Sequence, residues 1–193
     1  MTDTTTPEEI NRFWLDEVGE KGWYVRSDAL DDTIRDRFLP AWERATEMVP
    51  GWAQTPEGAL AGLILTDQFP RNMFREDARA FATDPLARTL AHEAIANGFH
   101  LRIEPPARQF VYLPFEHSED LADQDRAVGL FAEFMPGENL RHAELHRDTI
   151  AKFGRFPWRN AALKRVPTPA EIRIMEGGGY GALVSGKLSL ADF

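Results

Sequence analysis

The residues of this chain that could do chemistry fall on apolar runs. In "TDQFPRNMFR", helical steps from Leu60, Leu63 and Ile64 arrive at Asp67 and then Arg71. The run Leu121, Val128, Phe131 extends back by four positions to His117, and the run Leu140, Ala143, Ile150, Phe153 passes through His146. Three segments thus each aim an ionisable group at the core side. A buried charge without a partner costs several kcal/mol, so such groups should meet one another or a ligand. The expected ligand-binding set is Asp67, Gln68, Arg71 and Asn72 with Arg155, Arg159 and Asn160. Glu116, His117 and His146 are the expected acid–base groups. A purely structural polar network is the competing account of the same residues.

"FEHSED" supplies Glu116, His117, Glu119 and Asp120. A helix start near Pro114 or Ser118 explains Glu119 and Asp120, because acidic residues are favourable in a first turn. It does not explain His117, whose cationic form is disfavoured there. "HAELH" places His142 and His146 at i and i+4, although its glutamate is at the wrong offset for a zinc protease. A carboxylate–histidine metal site with Glu116 and His117 is weighed against a solvated helix face with one buried histidine. The second is favoured, and no metal or cofactor is assigned. "KFGRFPWRN" offers the guanidinium forks of Arg155 and Arg159, suited to carboxylate or phosphate, with Phe156 and Trp158 as an apolar wall. The alternative is that these arginines pair with Asp67, Glu116 or Asp120 and fasten the C-terminal helices. There is no P-loop or dinucleotide fingerprint, and Ser118 beside His117 is no triad.

The elements that must position these groups are helical. Thr6-Pro7-Glu8-Glu9 and Thr168-Pro169-Ala170-Glu171 combine an N-cap, a proline and a capping-box glutamate; Thr55-Pro56 and Asp84-Pro85 are partial versions. Gly98 and Gly154 mark helix ends. A further stripe runs Leu30, Ile34, Phe38, Ala41, Ala45, Met48, with a kink or break expected at Pro40. "RQFVYLPF" reads as a short extended piece or, from Pro114, as the opening of the next helix. The glycine-rich tail 177–193 reads as a loop or loosely held end. The expectation is one all-α domain over 1–193, of about seven or eight helices paired as antiparallel hairpins.

The 193 residues suit one well-filled core. A net charge of −9 disfavours nucleic acid and anionic membranes as partners, while a small acidic ligand held by local arginines, or a protein partner, remains compatible. Without cysteine there is no disulfide or thiolate site. "MTDTTTPEEI" has neither the basic nor the apolar part of a signal peptide, and no apolar run spans a bilayer, so a cytoplasmic location is expected. Oligomeric state is left open.

"DQFPRNMFR", "ARAFATDPLA", "YLPFEHSEDLADQDRAV" and "FGRFPWRN", in this order, resemble the bacterial domain of unknown function 924 family over nearly the whole chain. That resemblance implies a compact all-α fold similar to tetratricopeptide-like helical hairpins. Its characteristic segments fall on Asp67, Gln68, Pro70, Arg71 and Asn72, on Glu116, His117, Glu119 and Asp120, and on His146, Arg155, Pro157, Arg159 and Asn160. Two functions follow as expectations. In one, the two Arg-Asn pairs and "FEHSED" converge on a pocket for a small acidic molecule. In the other, a helical scaffold binds a peptide or protein and the polar cluster is structural.

Overall fold

Threonine-proline pairs open helices because the hydroxyl satisfies a first-turn N–H and proline has none to satisfy. The structure, a computed structural model, describes residues 5–193 and uses three such pairs. The first four residues, part of the segment assessed as a leader, lie outside the described residues. Thr6 accepts from Glu9 N–H to start α1 (Pro7–Asn11), and Thr55 accepts from Gly58 N–H to start α4 (Pro56–Leu63). Thr168 and Glu171 form both halves of the capping box of α10 (Pro169–Glu176). Asp84 begins α6 (Asp84–Ala96) without capping it, because its carboxylate is engaged by Arg71.

By their internal contacts the described residues form two compact units, one comprising the chain up to Arg75 with Arg79–Pro114, the other Glu76–Ala78 with Phe115–Phe193. In the first, α1 continues into a π-helical stretch, Arg12–Val18. α2 (Asp28–Glu43) and α3 (Ala45–Trp52) follow. Pro40 does not break α2, which ends three residues later. α4 is the central helix, packed on α1, α3 and α6, and its residues are buried apart from Glu57. Its closeness to α3 depends on Gly58: a Cβ there would lie 2.0 Å from the Trp52 carbonyl oxygen. From α4 the chain passes through a π-helical stretch, Ile64–Gln68, into α5 (Phe69–Met73). Phe13, Trp14, Phe38 and Phe69 form the aromatic centre, with rings 4.8–6.0 Å apart.

α7 (Gln109–Glu116) overturns the extended reading of "RQFVYLPF", and Pro114 lies inside it rather than opening the next helix. The residues from Phe110 to Glu116 are all buried. A helix covered on every side shows no stripe, which is why helical periodicity was invisible.

In the second unit, α8 (Leu121–Phe134) and α9 (Glu138–Phe153) are joined by a short turn and pack on each other. Leu121 is exposed; the buried face of α8 instead runs through Gln124, Ala127 and Phe131. Gly154, at φ 70°, ends α9 as expected. After a 3₁₀ turn at Pro157–Arg159 comes α10, then α11 (Gly179–Val184), so the glycine-rich tail is helical in part and packs on α9 and α10. Among the described residues there are eleven α-helical segments, more than the expected seven or eight because several are a turn or two long. Among the described residues there is no strand, and no helix is long and apolar enough to cross a membrane.

Candidate functional site

Within the second unit, α7 ends on Glu116 and α9 carries His146 in its middle. Glu116 Oε1 lies 3.0 Å from His146 Nδ1, with the two side chains 5% and 12% exposed. The same nitrogen is 2.9 Å from the His142 carbonyl oxygen, one helical turn back. Both neighbours are acceptors, so Nδ1 carries a proton and the other ring nitrogen, Nε2, is the one left for a ligand. "FEHSED" is therefore a helix end followed by a helix start. Glu116 closes α7, and Asp120 caps α8 by accepting from the N–H groups of Ala122 and Asp123. That removes the expected conflict between His117 and a helix N-terminus.

Gln124 holds this corner. It is fully buried, and its Nε2 donates to the carbonyls of Glu116 and Ser118, both at 2.6 Å. Two N–H bonds thus satisfy the frayed carbonyl end of α7 and set the backbone that bears Glu116 and His117. Arg159 adds a bond to the His117 carbonyl at 2.8 Å, its guanidinium carbon 4.7 Å from the Phe156 ring centroid.

Around His146 stand aromatic rings: Tyr180 at 4.6 Å, Phe156 at 5.3 Å, Trp158 at 6.0 Å, and the imidazole of His117 at 6.4 Å between centroids. The Tyr180 hydroxyl is 2.5 Å from His142 Nδ1 and 3.4 Å from His146 Nδ1. Burial pushes the His142 imidazole below its ordinary value, against the opposing pull of Glu116. A neutral His142 accepts the tyrosine O–H, so one hydroxyl links the two histidines of "HAELH". Among the described residues, no group of three or more His, Asp and Glu side chains is arranged to hold a metal ion.

Arg155 and Asn160 lie beside this corner. The Arg155 guanidinium forks onto the Glu171 carboxylate at 2.6 and 2.7 Å and also reaches the Val166 carbonyl. The Arg155 bonds, joined by the Thr168 N–H, hold the Glu171 carboxyl down at about 2. Asn160 sits near the same carboxylate, but its amide nitrogen and oxygen are buried and neither meets hydrogen-bond geometry. Glu119 accepts from both terminal nitrogens of Arg165 and from the Phe156 N–H. Burial works to raise this carboxyl, and those bonds outweigh it.

Asp67, Gln68, Arg71 and Asn72 belong to the first unit, where each has defined partners. Arg71 forks onto Asp84 at 2.9 and 3.0 Å, lies 3.2 Å from Asp67 Oδ1 and donates to the Asp67 carbonyl. Burial would lower this guanidinium, but the two carboxylates hold it above its ordinary value. Gln68 donates to Asp67 Oδ2 at 2.5 Å, and Asn72 donates to Asp31, which also accepts from Arg75. The two Arg-Asn pairs of the sequence therefore fall in different units and have different partners.

Four residues escaped the sequence reading of the site. Gln124 is hidden from a reading by spacing, because Leu121 and Val128 point to a different face of α8 from the one that is buried. Tyr180 lay in a segment read as a loose end. Asp84 and Asp31 were read as part of a helix start and as no feature at all; the helical spacing of Asp31 with Ile34 and Phe38 was the available signal.

An all-helical chain with these motifs defines a class by both sequence and fold. Residues 10–179 match the family described as "Bacterial protein of unknown function (DUF924)", and the chain belongs to that family. It is similar to a solved structure, the protein of unknown function ATU0120 from Agrobacterium tumefaciens, with 43% identity and a TM-score of 0.85. The likeness covers 89% of this chain and 97% of the other. No curated protein matches.

Proposed function

We propose that the second unit binds a small acidic molecule beside His146 and acts on it by general acid–base chemistry. The observation that carries this reading is the Glu116–His146 pair: a nearly enclosed carboxylate 3.0 Å from Nδ1, which leaves Nε2 as a base. In this reaction Nε2 takes the proton of the bound molecule while Glu116 accepts from Nδ1 and fixes the ring. His117 is the second proton-transfer group. Arg159, which donates to the His117 carbonyl, and Asn160 are the groups assigned to the acidic ligand. Arg71 and Arg155, both forked onto carboxylates, serve as structural ties.

Thermal melts of the wild type and of His146→Gln, Glu116→Gln and His117→Gln, with a panel of small carboxylates and phosphates, test it. A compound that raises the wild-type melting temperature and fails to raise that of His146→Gln supports the site. If no compound shifts the wild type, the reading falls. The second reading is then preferred: a tetratricopeptide-like helical scaffold for a peptide, favoured by the internal pairing of Arg71 and Arg155.

A further inference from the structure

The aromatic cluster beside His146 ends on a ring that no other ring extends. Phe156 is fully buried, and the Trp158 indole is stacked on it at 5.0 Å between centroids and 25° between planes. Beyond the indole, Tyr180 meets it at 51° and His146 at 88°, so neither continues the stack. Among the described residues Trp158 makes no other ring contact, and it is only half-buried.

The indole nitrogen is a second, independent sign. Trp23 gives its N–H to the Trp14 carbonyl, and Trp42 gives its own to the Thr83 hydroxyl. The N–H of Trp158 meets no acceptor among the described residues, and it is not enclosed as the Trp14 N–H is. An indole nitrogen donates and never accepts, so an entering oxygen suits it. The ring quadrupole sorts the two parts of a ligand in the same way. Its positive edge, which carries the N–H, attracts an anion, while its negative face repels one and takes another flat ring.

We propose that the small acidic molecule taken by this corner is an aromatic acid, a planar ring carrying a carboxylate. The ring lies against Trp158 and the carboxylate accepts from the indole N–H. His146, 6.0 Å from the indole between centroids, then stands beside the bound ligand. This inference rests on the acid-binding reading of the His146 corner and narrows it to one substrate class. A saturated ring would occupy the same space without stacking, and an uncharged aromatic would stack without bringing the N–H an anionic acceptor.

Calorimetric titration of the full chain tests it with phenylacetate and indole-3-acetate. Cyclohexylacetate is the saturated counterpart and 2-phenylethanol the uncharged one. Stacking adds roughly three- to tenfold in affinity, so at least one aromatic acid should exceed cyclohexylacetate by that factor, with 2-phenylethanol weaker than that acid. Trp158→Leu should bring the aromatic and saturated acids to equal affinity. Trp158→Phe, which keeps a ring and loses the N–H, should keep the preference for the flat ring while binding both kinds of acid more weakly. If cyclohexylacetate binds the wild type as tightly as the aromatic acids do, this inference falls and the acid-binding reading stands. If neither kind of acid binds at millimolar concentration, both fall. The inference is also overturned if 2-phenylethanol matches the aromatic acids, or if either Trp158 variant binds both kinds of acid as the wild type does.

Discussion

Glu171 gives the clearest quantitative test of how the second unit is held together. Its carboxylate is 1% exposed and accepts three short bonds, from Arg155 Nε at 2.6 Å, Arg155 Nη2 at 2.7 Å and Thr168 N–H at 2.6 Å. These lower the carboxyl from 4.5 to about 2. At about 1.4 kcal/mol per unit, that depression corresponds to about 3 kcal/mol of stability. The Arg155 side chain is 27% exposed, so solvent screening brings the expected value nearer to about 2 kcal/mol. Because folding depresses the carboxyl, the contribution is complete above the unfolded value and fades as pH falls through the folded one. Roughly three-quarters remains at about pH 4 and roughly two-fifths at about pH 3. Urea unfolding of the wild type and Glu171→Gln, between neutral pH and pH 3, reads this directly. The glutamine keeps an acceptor for Thr168 and removes the charge. The variant should be about 2 kcal/mol less stable at neutral pH, and the gap should close progressively below about pH 4.5. A gap that is absent, or that stays constant down to pH 3, would refute the reasoning.

Three further substitutions check other joints. Gln124→Ala removes the amide that satisfies the Glu116 and Ser118 carbonyls and opens a cavity beneath α7; urea unfolding should show a loss of about 2–4 kcal/mol, and less than about 1 would contradict the role given to it. Arg71→Ala strips the guanidinium from two buried carboxylates, Asp67 and Asp84; it should destabilise by about 3–5 kcal/mol, measured the same way, and a near-neutral result would return Arg71 to the list of binding groups. Gly58→Ala sets a methyl group against the Trp52 carbonyl, backbone against backbone; a drop in melting temperature corresponding to about 3 kcal/mol is expected.

The helical class was legible because its signals are local. Thr6, Thr55 and Thr168 each accept the first-turn bond that their sequence motif implies. The stripe from Ile34 through Phe38 to Ala41 is buried as spaced. Illegible were the places where packing, not pattern, decides. α7 is covered on all sides and so has no polar face to reveal its period. Gln124 outranks Leu121 for the interior because only an amide can serve the carbonyls left over at the end of α7, while Leu121 sits at the exposed first turn of α8. Tyr180 follows three consecutive glycines, which argue for a loop; Gly178 and Gly179 instead take positive φ and turn the chain into α11. For the site, sequence identified Glu116 and His146 as ionisable groups on separate segments, but their distance of 3.0 Å is a property of tertiary packing alone.

The recurrence of Arg-Asn after Phe-Pro invites one explanation for two places, and the side-chain partners argue against it. Arg71 forks onto the Asp84 carboxylate, whereas Arg159 donates to the His117 carbonyl, lies over the Phe156 ring and helps to hold the Glu119 carboxyl down. Asn72 is bonded to Asp31, while the Asn160 amide has no bond of proper geometry. The common factor is local. Each Phe-Pro lies close to a helix end: Phe69–Met73 closes the continuous helical run that begins at Pro56, and Pro157–Arg159 is a single 3₁₀ turn. A helix end leaves carbonyl groups for neighbours to satisfy and places the polar side chains there within reach of the interior. Such a device can finish a buried ion pair or build a binding corner, depending on what faces it. Across both units the cations central to the expected pocket, Arg71 and Arg155, end on carboxylates, while the imidazole of His146 meets Glu116 through one nitrogen and the Asn160 amide has no bond of proper geometry. Chemistry at neutral pH is better served by those than by fastened guanidinium groups, because a group already held in a bidentate pair must break it before it can bind anything else.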